Sequence, residues 1–478
     1  MSRRFGLVAG FLALAVMLAA PAPAGLDGAA WRTAAVAVLM AVFWLTEAIP
    51  IPATSLIPLV AFPLVGAGSI GEAAAPYANP VIFLFMGGFL LALAMERWAL
   101  HRRLALGMLR RVGSRPSSVI GGLMIVTAFL SMWVSNTAVS LMMLPIGLSV
   151  IELVNASAEA DGGADTAARS AFAVAVMLGI AYAANVGGMG TLIGTAPNAL
   201  LAGYMAEAHG VQIGFVEWMA VGVPLVALAL PLIYLILTRV GARLGRKDIP
   251  GVAELIGERM AALGPISRPE RRVAVVFAIA AACWILRPLL TVRVPGLSDA
   301  GIAIGCGLLL FLTPSGADDG ALLDWETAET LPWGILILFG GGLSLASAID
   351  RTGLNTWLGS SAAGFGDWPP IAFIFLITLL VVLLTELTSN TATTAAFLPV
   401  LGAVAVEIGW DPLLVAVPAT LAASCAFMLP IATPPNAVAY SSGVLTIPQM
   451  ARAGIWANAA LAFLITALAA WLLPLVLG

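Results

Sequence analysis

The tripeptide Ser-Asn-Thr occurs twice, at Ser135–Asn136–Thr137 and Ser389–Asn390–Thr391, and the copies lie 254 residues apart in a longer shared register. Ser131 falls on Thr385, and Leu144–Pro145 on Leu398–Pro399. Upstream, Phe85, Gly87, Gly88, Glu96 and Arg97 fall on Phe339, Gly341, Gly342, Asp350 and Arg351. This is an internal duplication, and it restricts the chain to architectures built from two related halves. Each copy puts a hydroxyl–amide–hydroxyl cluster in the middle of a long apolar stretch.

The apolar stretches set the class. The chain of 478 residues is 61% hydrophobic and 10% charged, against about a quarter charged in a soluble chain. It reads as an all-α polytopic membrane protein with no hidden soluble domain. Stretches near twenty apolar residues are candidate spans. They fall at 5–21, 31–48, 53–67, 80–97, 170–207, 218–239, 270–288, 298–313, 332–349, 412–442 and 452–476. Residues 1–24 also resemble a cleavable signal peptide, with Arg3–Arg4 before an apolar run and Pro21–Ala22–Pro23–Ala24 after it; retention as a first span is expected.

Arginines crowd two connectors. Arg97, Arg102, Arg103, Arg110, Arg111 and Arg115 fill one; Arg239, Arg243, Arg246, Lys247, Arg259, Arg268, Arg271 and Arg272 fill the other. The positive-inside rule puts both on the cytoplasmic face together with Arg3 and Arg4. Apolar flanks argue against nucleic-acid binding. The Ser-Asn-Thr stretches, 117–153 and 369–408, are expected to be re-entrant hairpins, because each apex carries no charge. Non-helical backbone at mid-membrane depth is tolerated only against protein or a water-filled cavity. Counting spans from an inside N-terminus makes 80–97 the fourth and 332–349 the ninth. They run in opposite directions, so the duplication is an inverted repeat.

Ser and Asn favour helix N-caps. Each Ser-Asn-Thr is expected to end one short helix and start the next, whose free N–H groups and dipole attract an anion without any arginine. Two spans are too long to be straight. Gly194–Thr195–Ala196–Pro197–Asn198 interrupts one and Ala432–Thr433–Pro434–Pro435–Asn436 the other. Proline disrupts the preceding turn and frees carbonyls. Those carbonyls, set beside Ser131 and Ser135 or Thr385 and Ser389, suit a hard monovalent cation such as Na⁺. An apex paired with an unwound helix in each half is the pattern of a secondary transporter.

The remaining residues exclude more than they assign. Cys283, Cys306 and Cys425 sit in apolar segments without metal-ligand spacing, and His101 and His209 are far apart, so neither a histidine-based metal site nor a cofactor is expected. The glycine clusters Gly87–Gly88 and Gly340–Gly342 suit close helix packing. Intramembrane acids are costly and usually functional. Glu96 and Asp350 are read as anchors at helix ends, Glu47 as interfacial, and Glu386 as a buried acid holding its hairpin, with proton coupling as the alternative. Gly364–Phe365–Gly366–Asp367 fits an intramembrane aspartyl protease pattern, but no span offers the second central aspartate. Phosphate-binding and zinc-protease motifs are absent, so the chain is not expected to be an enzyme.

The chain resembles the divalent-anion/sodium symporter family, which includes the sodium-dependent dicarboxylate transporters. The resemblance rests on Thr46–Glu47–Ala48–Ile49–Pro50, both Ser-Asn-Thr motifs, the segment Gly190–Asn198 and the segment Leu429–Asn436, and it spans nearly the whole chain. In the family's pattern the first break usually carries two prolines; Ala196 replaces one here. The resemblance implies eleven spans, two re-entrant hairpins, and a homodimer in the cytoplasmic membrane that works as an elevator. It implies scaffold segments at 1–116 and 241–368, the latter including a connector. Transport-domain segments follow at 117–240 and 369–478. One Na⁺ is implied near Ser131, Ser135, Asn136 and Gly194, and a second near Thr385, Ser389, Asn390 and Ala432. The substrate carboxylates are implied at Asn136, Thr137, Thr195, Asn390, Thr391, Thr433 and Pro434.

The function expected is Na⁺-coupled symport of a C4-dicarboxylate such as succinate, malate or fumarate. A dicarboxylate exchanger of the same family is the alternative, followed by a sulfate or tricarboxylate carrier and a passive anion channel. Two intact Ser-Asn-Thr motifs resemble the carboxylate branch rather than the sulfate branch.

Overall fold

A computed structural model describes residues 3–160, 166–240, 248–317, 320–361, 364 and 368–476. Arg243, Arg246, Lys247, Asp318 and Phe365–Gly366–Asp367 lie outside the described residues. Among those described, every regular element is helical. Eight helices are long and apolar enough to cross a membrane by length and composition, and five shorter apolar helices accompany them. Every stretch read from the sequence as a span contains helix. The stretch 53–67 is divided at Ser55–Leu56 into Ile51–Thr54 and Ile57–Val65, and 298–313 forms only Asp299–Leu312.

Helix α1 (Arg3–Ala19) packs on α2 (Gly28–Thr46), and α3 (Ile57–Val65) leads to α4 (Pro80–Arg97). A short amphipathic helix, α5 (Leu100–Leu109), follows after Ala99, whose φ of 54° turns the chain sharply. The first helix–turn–helix is α6 (Pro116–Ser131) and α7 (Asn136–Ala160). The first broken helix is α8 (Thr166–Gly188) and α9 (Ala196–His209), followed by α10 (Phe215–Leu235). Helices α11 (Val252–Ala262), α12 (Arg268–Leu290) and α13 (Asp299–Leu312) connect the halves.

The order then recurs. Helix α14 (Trp333–Arg351) matches α4, and the short α15 (Leu354–Ser361) follows it as α5 follows α4. The second helix–turn–helix is α16 (Pro370–Thr385) and α17 (Asn390–Glu407). The second broken helix is α18 (Leu413–Ala423) and α19 (Pro434–Ser441), and α20 (Ile447–Trp471) closes the set. Helix starts carry the capping chemistry their sequences offer: Asp27, Ser267 and Thr446 each accept a backbone N–H of the first turn, which satisfies an otherwise orphaned donor.

Small residues let the helices meet. A Cβ at Gly87 would collide with the Ala303 backbone, and one at Gly341 with that of Ser55. Lipid offers no hydrophobic drive for helix association, so such close backbone approach supplies the packing. This agrees with the packing role read for both glycine clusters. Large apolar side chains point outward instead: Leu289, Leu312, Phe463 and Trp471 are largely exposed.

The charged connectors converge at one end. Arg103 pairs with Glu270 at 2.9 Å and also donates to the Leu263 and Gly264 carbonyls. Arg97 meets Asp324 at 2.5 Å, and the Ile249 N–H donates to the Ser114 carbonyl. The two basic connectors therefore share a face, as the positive-inside rule expects of them, and the segment carrying Asp324 lies against it. On this exposed face Thr327 and Arg97 hydrogen-bond Asp324 and hold its carboxyl down to about 2.

Candidate functional site: paired turns and broken helices

The two Ser-Asn-Thr turns are built alike. Helix α6 ends at Ser131, four residues before the motif, and Asn136 opens α7. Helix α16 ends at Thr385 and Asn390 opens α17, with Ser389 as N-cap. Each motif therefore starts a helix but does not end one, which corrects half of the expectation: Met132–Val134 and Glu386–Thr388 fill the gap. Ser131 Oγ donates to Asn136 Oδ1 at 2.5 Å, and Thr385 Oγ1 lies 2.8 Å from Asn390 Oδ1. The same atoms meet across the same five-residue separation, so the duplication seen in the sequence is a duplication of geometry. In both turns the hydroxyl occupies the amide oxygen. The Nδ2 groups of Asn136 and Asn390 have no hydrogen-bond partner among the described residues, leaving N–H donors at each turn.

Each turn touches its own broken helix. Thr191 Oγ1 donates to the Met132 carbonyl at 2.5 Å. A Cβ at Gly188 would lie 2.7 Å from Asn136 Oδ1 and 3.0 Å from the Gly194 carbonyl. Asn136, Gly188 and Gly194 thus close on one small space, and only glycine permits the approach. In the second half, Thr385 Oγ1 lies 2.7 Å from the Ala423 carbonyl, so its single proton is shared with Asn390.

The unwound segments are 189–195 and 424–433. Pro197 and Pro434 sit in the first turn of α9 and α19, where a missing N–H costs nothing. Proline therefore begins the second half-helix rather than kinking a continuous one, and the unwinding belongs to the residues before it. The freed carbonyls are also less free than the sequence suggests. Asn198 Nδ2 donates to the carbonyls of Gly188 (3.1 Å), Met189 (3.4 Å) and Thr191 (2.8 Å). Asn436 Nδ2 donates to those of Ala426 (2.9 Å) and Leu429 (3.0 Å). These two asparagines were absent from the sequence-derived site. Their identical place after a proline was the available signal.

Glu386, 5% exposed, holds the second break. Its Oε1 accepts the Phe427 and Met428 N–H groups at 2.7 and 2.9 Å, and its Oε2 accepts that of Leu429 at 3.1 Å. Asn458 Nδ2 adds a fourth donor at 2.7 Å. Four donors face this carboxylate, which supports its reading as the acid that holds the hairpin. The matched position in the first half is Met132.

The other residues named from the sequence fall around this centre. Thr137, Thr391 and Thr195 are half-buried, and no hydrogen bond to protein engages their side chains among the described residues. Thr433 is buried at the N-cap of α19, while Pro434 beside it is exposed. Ser135 Oγ caps α7 by accepting the Ala138 N–H at 3.2 Å. Ala432 is buried with no side-chain polar group to contribute. The halves are crossed: α19 packs on α7 and α8, and α9 packs on α17. Each post-break half-helix therefore lies against the return arm of the other half's turn.

Chemically the Ser-Asn-Thr turns are uncharged, with amide N–H donors on one side and hard oxygens on the other. Ser131 Oγ, Asn136 Oδ1 and the Gly188 and Gly194 carbonyls suit an alkali cation, as do Thr385 Oγ1, Asn390 Oδ1 and the Ala423 carbonyl. Among the described residues no group of three His, Cys, Asp or Glu side chains could hold a metal ion. A partly open cavity of about 50 Å³ lies elsewhere, between α9, α14, α15 and α17, and none of the turn or break residues lines it.

Apolar helices, paired turns and broken helices define a multi-pass membrane transporter rather than an enzyme. The chain belongs to the family of the sodium:sulfate symporter transmembrane region, whose model matches residues 2–477. It is 40% identical to the sodium-dependent dicarboxylate transporter SdcS of Staphylococcus saprophyticus over 478 residues, covering 99% of this chain and 92% of that protein. It is 41% identical to the protein of the same name from Staphylococcus aureus over 449 residues, covering 93% of this chain and 86% of the relative. Among solved structures it is similar in fold to the YdaH transporter of Alcanivorax borkumensis, with a TM-score of 0.61 at 14% identity over 94% of this chain and 100% of the other.

Proposed function

We propose that this protein is a Na⁺-coupled symporter of C4-dicarboxylates such as succinate, malate or fumarate in the cytoplasmic membrane. The observation that carries the reading is the matched pair Ser131–Asn136 and Thr385–Asn390, each turning an amide N–H₂ away from its own hydroxyl. The names of both relatives support sodium and dicarboxylate as the solutes.

A dianion enters between the two turns. Its carboxylates meet Asn136, Thr137, Thr195, Asn390, Thr391, Thr433 and Pro434. The first-turn N–H groups of α7 and α17 add partial positive charge at each end. One Na⁺ binds at Ser131, Ser135, Asn136 and Gly194, and one at Thr385, Ser389, Asn390 and Ala432. Each cation shares an asparagine with the substrate, so binding of one solute orders the ligands of the other. That shared residue is the physical basis of coupling in this scheme.

The turns are re-entrant hairpins within a set of eleven spans arranged as an inverted repeat. Burial of Ser131 and Thr385 against the breaks supports this topology. Segments 117–240 and 369–478 form a transport domain that moves as an elevator against scaffold segments 1–116 and 241–368, and two copies form a homodimer. No further cofactor takes part.

The test is succinate uptake into proteoliposomes with and without an inward Na⁺ gradient. Uptake that follows the gradient supports symport. Flux that ignores the gradient and requires internal dicarboxylate makes the protein an exchanger instead.

A further inference from the structure

Asn185 lies on α8, four residues before the first break, and is 3% exposed. Its Nδ2 crosses to the other half of the chain. It donates to Thr433 Oγ1 at 3.0 Å and to Asn436 Oδ1 at 3.3 Å. Thr433 Oγ1 also accepts the Asn436 backbone N–H at 3.3 Å as the cap of α19. A hydroxyl oxygen has two lone pairs and one hydrogen. Two N–H groups occupy the lone pairs, and no acceptor among the described residues takes the hydrogen.

The first half has no equivalent. Thr195, matched to Thr433, caps α9 without a side-chain hydrogen bond. The register that pairs Thr195 with Thr433 and Asn198 with Asn436 puts Ala423 where Asn185 would be. Asn198 Oδ1 is correspondingly buried without a partner, whereas Asn436 Oδ1 is satisfied by Asn185.

We propose that Asn185 is a positioning residue that fixes Thr433 as a hydrogen-bond donor to one end of the substrate dianion. The two ends of the site are then unequal. Thr433 presents a proton and no lone pair, which accepts a carboxylate and rejects a group that must itself donate. Thr195 can turn either way. The inference rests on the placement of Thr433 at the substrate.

The test compares Asn185→Ala, Asn185→Asp, Thr433→Ala and the Asn185→Ala/Thr433→Ala double variant in detergent. Succinate binding is measured calorimetrically at saturating Na⁺. Thermal stabilisation by Na⁺ alone is measured for the wild type and the two Asn185 single variants. Asn185→Ala and Thr433→Ala are each expected to weaken succinate about tenfold, the scale of one hydrogen bond to a charged group. The double variant should be no weaker than either single one. Asn185→Asp keeps the shape but draws the Thr433 proton to itself, so it should lose at least as much. Both Asn185 variants should keep the Na⁺ response.

Wild-type succinate binding by Asn185→Asp overturns the inference. So do single effects that multiply in the double variant, or a Na⁺ response that falls in parallel, because Asn185 is then only a tie between the halves. If Asn185→Ala does not fold, Asn185→Asp alone decides. Wild-type binding by Thr433→Ala instead removes Thr433 from the site and overturns the substrate placement itself.

Discussion

Glu386 accepts the side-chain amide of Asn458 at 2.7 Å across 72 residues of sequence. The same carboxylate receives three consecutive backbone N–H groups from the second break. Removing it strands four donors, two of them buried and two partly buried, and a buried donor left unpaired costs about 1–3 kcal/mol. Glu386→Ala should therefore destabilise the protein by roughly 3 kcal/mol or more, allowing for partial relaxation. Glu386→Gln, which keeps one acceptor, should cost less. Thermal unfolding in detergent ranks the two, and equal midpoints for Ala and wild type would contradict the staple.

Asn136→Ala and Asn390→Ala each delete a free N–H₂ group and the acceptor of Ser131 or Thr385. Both should abolish uptake while leaving the size-exclusion profile near wild type; Asn136→Ala, which strands the buried Ser131 hydroxyl, should lose about 1–3 kcal/mol of stability, and Asn390→Ala less, because Thr385 keeps the Ala423 carbonyl. The check is uptake in proteoliposomes beside size exclusion and thermal unfolding. Wild-type uptake in both variants would refute the site.

Thr385→Val keeps the shape of the side chain but removes the hydroxyl shared by Asn390 and Ala423. Half-saturation by Na⁺ should rise about tenfold or more, the scale of one lost contact to a charged ligand. A Na⁺ titration of uptake at fixed succinate reads the shift directly. An unchanged titration would place the second cation elsewhere.

Gly187→Ala puts a methyl into the backbone of Ala128 on α6. The obstacle is main chain, so α6 and α8 must separate, at about 1–3 kcal/mol for overpacking. Gly257→Ala on α11 meets nothing within 4 Å and serves as the neutral control. Comparing folded yield and thermal midpoint of the two variants checks the prediction, and equal behaviour would mean that this crossing is loose.

Much of the fold was legible because a bilayer demands long apolar runs, and each run read from the sequence contains helix. The duplication was legible for the same reason: Ser131–Asn136 and Thr385–Asn390 repeat at a fixed spacing that local geometry preserves. What was missed depends on contacts made far along the chain. Nothing beside Glu386 in sequence points to Phe427–Leu429 or Asn458. Nothing beside Asn185 points to Thr433. The prolines were read as the cause of the break, disrupting the turn before them, because a broken helix and a restarted one share the same residue. Only the positions of the half-helices tell them apart. Likewise, carbonyls that looked free from proline chemistry are partly bound by Asn198 and Asn436, which leaves fewer oxygens for a cation.

The crossed arrangement of α9 on α17 and α19 on α7 makes the two polypeptide halves interlocked partners rather than neighbours. Neither can complete its own polar centre in isolation, since each shelters under an arm supplied by its twin. Severing the chain between α10 and α11 and producing both pieces in one cell should still yield a whole molecule, whereas either piece by itself would present bare hydroxyls and amides to lipid.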